Sequence, residues 1–165
     1  MTTVMRIIDR ALARVLMVLM ALMVIDVTWQ VITRFILSEP SSLTEELARF
    51  LLVWIGLLGA AYAFRVRAHL GLDIVTSNLS RKAQVKTEIL INLLCFAFAA
   101  SVMVVGGFKL MMLTLELNQL SPALQIPMGY IYSVVPISGV LICLFAIDHI
   151  RLREIPGANE DLPVD

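Results

Sequence analysis

The chain has little of what enzyme sites are usually built from: two cysteines and two histidines in 165 residues. Cys95 and Cys143 each sit inside an apolar run, with no CxxC and no His or Asp at ligand spacing. Both read as small interior side chains, and no metal or redox centre is expected from them. No phosphate-binding glycine loop, nucleophile elbow or metal cluster is present, so neither a catalytic role nor a cofactor is expected. His69 and Asp73, four residues apart, are the one pairing from which a membrane enzyme could be argued, and nothing else in the chain joins them.

Charge is scarce as well. Charged residues make up 16% of the chain against 59% apolar, and the formal net charge is zero. That total gives no reason to expect a nucleic-acid partner. A soluble chain of this length spreads its charge along the polar faces of amphipathic helices, because its surface must meet water. Here the charges gather into short blocks separated by long uncharged runs, the pattern of a multi-pass membrane protein.

Crossing the hydrocarbon core takes about 20 mostly apolar residues in a helix. Four windows meet that need, at roughly 11–37, 47–64, 89–108 and 128–150. The fold class expected is therefore all-α and integral to the membrane, one four-helix domain over 1–155 with a polar tail over 156–165. The first window, at about 40 Å, must tilt or extend into the headgroups. Arg6, Arg10 and Arg14 precede it without a small-residue cleavage site, so it reads as an uncleaved signal anchor. Cations also mark the connection between the second and third windows, with Arg65, Arg67, Arg81, Lys82 and Lys86, and the segment after the fourth, with Arg151 and Arg153. By the positive-inside tendency both termini and the middle connection face the cytoplasm.

Two connections carry further information. Pro40, Ser41, Ser42 and Thr44 form a turn in which Ser42 or Thr44 can cap the second helix, with Glu45 and Glu46 in its first turn. Pro136 lies inside the fourth window and predicts a kink near Ser133. In the middle connection Leu72, Val75 and Leu79 recur at helical spacing beside basic residues. This pattern fits a short helix in the cytoplasmic interface, with Arg65, Arg67, His69, Arg81 and Lys82 toward lipid phosphates, and equally an ordinary solvated turn.

The first window contains Asp26, Gln30 and Arg34, spaced by four, with Thr33 beside them. Ionisable groups in a span are costly in lipid and turn toward protein or a wet cavity, so this stripe is expected to face protein, each group meeting another chain segment. Asp26 could serve a proton relay or a structural contact, and Arg34 could snorkel to phosphates or pair across subunits. At the start of the second window Arg49 stands within helical reach of Glu45 and Glu46. Gly56 with Ala60, and Gly59 with Ala63, then give two small-xxx-small patterns that admit a close-packed helix. With Trp54 they mark this helix as one that packs against protein.

The order of motifs resembles a known family. WQVITRF, a proline turn, TEELARFLLVWIGLLGAAYAFR, AHLGLD and SPALQIPMGYIYSVVPISG together resemble the DctQ-like small membrane subunit of tripartite ATP-independent periplasmic (TRAP) transporters. The matching positions are Trp29, Arg34, Glu45, Glu46, Arg49, Trp54, Gly59, His69, Asp73, Pro127 and Pro136. The resemblance implies a bacterial inner-membrane protein whose partners are a large transport subunit and, transiently, a periplasmic solute-binding protein, in sodium-coupled uptake of an organic acid. Some members of the family are fused to the large subunit, and the polar tail after four spans makes this chain look like the unfused form. On that reading Asp26, Gln30, Arg34, Glu45, Glu46, Arg49, Trp54, Gly56 and Gly59 belong to the interface with the large subunit. The competing reading is a self-sufficient small transporter or channel, a homo-oligomer that uses Asp26 as its coupling carboxylate.

Overall fold

The computed structural model describes residues 3–36, 42–66 and 81–152. The described residues are helical apart from short turns and one isolated bridge. Helix α1 covers Thr3–Phe35 and α2 covers Ser42–Arg65. The third span is composite: α3, Arg81–Phe98, runs through a π-helical segment, Ala99–Gly106, into α4, Gly107–Glu116. The fourth consists of α5, Met128–Tyr132, and α6, Val134–Leu152. Among the described residues four helical stretches are long and apolar enough to cross a membrane: Met5–Phe35, Ser42–Arg65, Lys86–Glu116 and Met128–Arg151.

The helices overrun the sequence-expected windows for local reasons. Between Thr3 and Phe35 there is neither Gly nor Pro, so nothing stops α1 from continuing through its basic N-terminal turns. Ser42 and Thr44, expected as caps, both lie inside α2, which carries Glu45 in its first turn and Arg65 in its last, matching the helix dipole at both ends. The fourth span is interrupted at Ser133, between α5 and α6. Proline has no amide hydrogen, so Pro136 leaves the Tyr132 carbonyl without its intrahelical donor. Bonds from Ser133 N to Gly129 O and from Ile137 N to Ser133 O carry the helix past the defect at 3.1 and 3.2 Å. The expected interfacial helix falls at 67–80 and the polar tail at 156–165, both outside the described residues.

The four spans stand in a row, not in a closed bundle. α1 packs on α2, α2 on α6, and α6 on the composite third span. The first and third spans hold the two edges. Leu12, Leu58, Phe64, Val134, Phe145 and Ala146 form the buried core, flanked by half-buried side chains that include Trp54 and Leu16. Glycines allow the closest approach. A β-carbon at Gly139 would stand 2.7 Å from Met103 Cβ, and one at Gly107 would stand 2.7 Å from Val135 Cγ1, so α6 and the composite third span meet backbone to side chain. Cys95 and Cys143 are half-buried between these helices, with the Cys143 thiol donating to the Phe96 carbonyl at 3.9 Å. A row leaves large apolar areas outward, including Ile25, Phe35, Leu94 and Phe98. In a membrane that exposure meets hydrocarbon and carries no penalty.

Candidate functional site

The polar side chains that sequence analysis gathered into one interface divide into three places. The first is the end of the row where α1 finishes and α2 begins. Gln30 Nε2 donates to Asp26 Oδ2 at 3.0 Å and to the Thr44 carbonyl at 2.8 Å. Thr33 Oγ1 donates to the Gln30 carbonyl at 3.0 Å. Asp26 and Thr33 are buried. The stripe does turn toward protein, but the protein is this chain's own second span. Arg34 is exposed.

Glu46, next along α2, is also buried inside the chain. Its Oε2 accepts from the backbone N–H groups of Ala123 and Leu124, each at 2.8 Å. Those amides belong to the connection between the third and fourth spans, which closes on itself. Ser121 N donates to Ile126 O, Met128 N donates to Gln119 O, and Asn118 and Gln125 take positive φ angles of 47° and 55°. A carboxylate accepting two amides makes charge-assisted bonds, stronger than neutral ones. Glu46 therefore fastens this connection to α2.

The second place is the opposite end of α2. Arg65 was expected among lipid phosphates and is instead buried, its side chain 5% exposed. Its Nε donates to Asp9 at 3.0 and 3.2 Å, and its Nη1 donates to Asp148 Oδ2 at 2.9 Å. The Phe145 ring lies 5.5 Å from the guanidinium carbon, within cation–π range. His149, tilted against Phe64, places Nε2 3.2 Å from the Arg65 carbonyl. A carbonyl can only accept, so Nε2 is the protonated nitrogen. Burial explains the correction: an arginine withdrawn from water requires acidic partners, and α1 and α6 each bring one. Asp9 and Asp148 were missed in the sequence reading. Their signal was that each is an acid among basic residues, beside Arg6 and Arg10 in one case and Arg151 in the other. Arg67 and His69 lie outside the described residues, and Arg81 and Lys82 begin α3 with their side chains undescribed.

The third place is a face of α2 that this chain leaves uncovered. Glu45, Arg49, Leu52, Val53, Gly56 and Ala60 are exposed along it. Arg49 donates to Glu45 at 3.0 Å, with both side chains mostly open. Built β-carbons at Gly56 and Gly59 find no atom within 4 Å. Trp54, expected on this face, packs against the chain's own core.

These features define a class: a multi-pass membrane protein with four spans in a row, cross-linked at both rims. Residues 22–154 match the family described as "Tripartite ATP-independent periplasmic transporters, DctQ component". The chain belongs to that family and is a small permease subunit of the TRAP type. A Haemophilus influenzae protein provisionally named a TRAP transporter small permease is 27% identical over 82% of this chain and 82% of its own length. The sialic acid TRAP transporter small permease SiaQ of Vibrio cholerae is 31% identical over 53% of this chain and 51% of its own length. The isethionate TRAP transporter permease DctMQ of Oleidesulfovibrio alaskensis is 32% identical over 68% of this chain, a match that spans 18% of that longer protein.

Proposed function

We propose that this chain is a scaffold subunit in a bacterial inner membrane, seated against a large transport subunit through the uncovered face of α2. The observation that carries the proposal is that face: an exposed Glu45–Arg49 pair followed by glycines with empty space beside them. Small residues admit a neighbouring helix backbone, and interhelical polar contacts add direction. The long DctMQ relative, of which this chain matches a small share, supports a large membrane partner. Relatives named for sialic acid, isethionate and C4-dicarboxylate support an organic acid as the cargo, and sodium-coupled uptake is part of the same proposal. The closed 117–127 connection exposes Leu117, Leu120 and Ile126, which supports reading it as a docking surface for a periplasmic binding protein.

Asp26 does not favour the competing reading of an independent transporter, because its carboxylate is buried and committed to Gln30. The deciding experiment is co-purification with the large subunit. Gly56→Leu and Arg49→Ala should lower the yield of complex while leaving the small subunit folded. Undiminished assembly and uptake in both variants would remove the basis for the proposal, and transport by this chain alone in liposomes would replace it.

A further inference from the structure

Helix α1 is longer than a bilayer needs. Its 33 residues reach about 50 Å, against about 30 Å of hydrocarbon. Between Arg14 and Arg34 the only ionisable residue is Asp26, which is buried, and the two arginines stand about 30 Å apart along the axis. They mark the two hydrocarbon boundaries, and the turns that hold Arg6 and Arg10 continue beyond one of them.

Arg6, Arg10 and Arg14 recur every four residues on this extension, and all three are exposed. The same side of the helix continues into exposed Val18, Leu22 and Ile25, so it is the outward side of an edge span. The opposite side, with Met5, Ile8 and Leu12, packs on the core. Asp9 could neutralise a neighbouring arginine by helical pairing, but it faces Arg65. Among the described residues no acid pairs with any of the three, and Arg10 Nε makes one bond to the Arg6 carbonyl at 3.3 Å. The result is an unopposed cationic stripe at the depth where phosphates lie. Guanidinium and phosphate form charge-assisted, often bidentate bonds, and cations beside an anionic leaflet are attracted individually.

We propose that Arg6, Arg10 and Arg14 form a binding stripe for anionic phospholipid headgroups, held in register by the Asp9–Arg65 pair. This assigns the lipid contact to α1, whereas sequence analysis placed it after α2, and it is independent of what covers the open face of α2. The test is native mass spectrometry of the full chain released from nanodiscs of mixed phosphatidylcholine and phosphatidylglycerol. The variants are Arg6→Gln/Arg10→Gln/Arg14→Gln, the corresponding triple Lys variant, and Lys109→Gln as a control at an exposed cation on α4.

The triple Gln variant should lose retained phosphatidylglycerol by about fivefold per arginine removed. The triple Lys variant should keep most of it, and the control should match the wild type. In pure phosphatidylcholine the triple Gln variant should melt as the wild type does, because among the described residues no acid pairs with the three side chains. Unchanged phosphatidylglycerol retention in the triple Gln variant, or an equal loss in the control, would overturn the proposal. So would a triple Gln variant that keeps its lipid but no longer co-purifies with the large subunit, which would assign the stripe to protein.

Discussion

Arg65 Nη1 donates to Asp148 Oδ2 at 2.9 Å, with the two side chains only 5% and 8% exposed. The same guanidinium turns its Nε to Asp9, so one residue of α2 fastens the spans on both sides of it. At the other rim Gln30 reaches the Thr44 carbonyl. From Asp9 to Gln30 on α1, and from Thr44 to Arg65 on α2, the chain advances by the same count of roughly 21 residues, about 32 Å of helix. The two polar contacts therefore hold the two helices in one antiparallel register. Between them the spans meet through dispersion packing, which in lipid has no hydrophobic drive to fix alignment. The rims set the register, and the middle of α2 keeps a face free.

Removing Arg65 leaves two carboxylates facing each other with no cation. Arg65→Ala should destabilise the chain by about 3–5 kcal/mol, as loss of one partner from a buried ion pair does. Asp148→Ala should cost more than Asp9→Ala, because Asp9 is 21% exposed and can rehydrate. The measurement is unfolding in mixed micelles for each single variant. An Arg65→Met/Asp148→Leu double variant less damaged than Arg65→Ala would confirm that the injury comes from uncompensated charge. If Arg65→Ala melts within error of the wild type, the cluster does not hold the spans.

Glu45 and Glu46 are neighbours with opposite expected phenotypes. Glu46→Ala removes the acceptor from the half-buried amides of Ala123 and Leu124, at a cost below the roughly 1–3 kcal/mol of a fully buried unsatisfied donor. Glu45→Ala breaks only an open ion pair, a kind of contact that contributes at most about 1 kcal/mol. Hydrogen exchange reads the difference directly. The two amides should exchange much faster in Glu46→Ala and at the wild-type rate in Glu45→Ala; equal protection in both variants would refute the clamp.

The fold class was legible because hydrocarbon imposes a length and a composition on each span, and both are written in the uncharged runs. The interruption at Ser133 was legible for a similarly local reason, the amide hydrogen that Pro136 lacks. Which polar groups meet was not legible. Asp9, Arg65 and Asp148 come from three helices, and their pairing depends on spans standing in the order first, second, fourth, third, which no local pattern encodes. Asp26 and Gln30 were seen as a stripe seeking a partner, but sequence spacing does not say whether that partner is another subunit or the next helix. Glu46 shared its reading with Glu45 because one step along a helix turns a side chain by about 100°, and only the position of the 117–127 connection decides which acid is covered.

The glycines fall into two groups by the space beside them. Gly139→Ala puts a methyl group against Met103 Cβ, and Gly107→Ala puts one against Val135. Overpacking of this kind costs about 1–3 kcal/mol, visible as a lowered melting temperature of the small subunit alone. Gly56→Ala meets nothing within 4 Å and should leave that temperature unchanged or slightly raised, since alanine favours the helix. A Gly56→Ala variant that melts early on its own would mean that the face is covered within the chain.

Asp26 offers a clean separation of charge from hydrogen bonding. Its carboxylate accepts from Gln30 Nε2, and that amide also holds the Thr44 carbonyl. Asp26→Asn keeps an oxygen acceptor of the same shape and removes the charge, so stability should change by no more than about 1 kcal/mol. Asp26→Leu removes the acceptor, loosens Gln30 from Thr44 and should lower both stability and the yield of complex. If the carboxylate carries a coupling proton the order reverses for transport: Asp26→Asn would assemble normally yet fail to support uptake. Uptake by the assembled transporter, normalised to complex yield, is the measurement that decides. Near-wild-type transport by Asp26→Asn is expected, because a carboxylate committed to Gln30 and buried between two helices of its own chain is placed to align them.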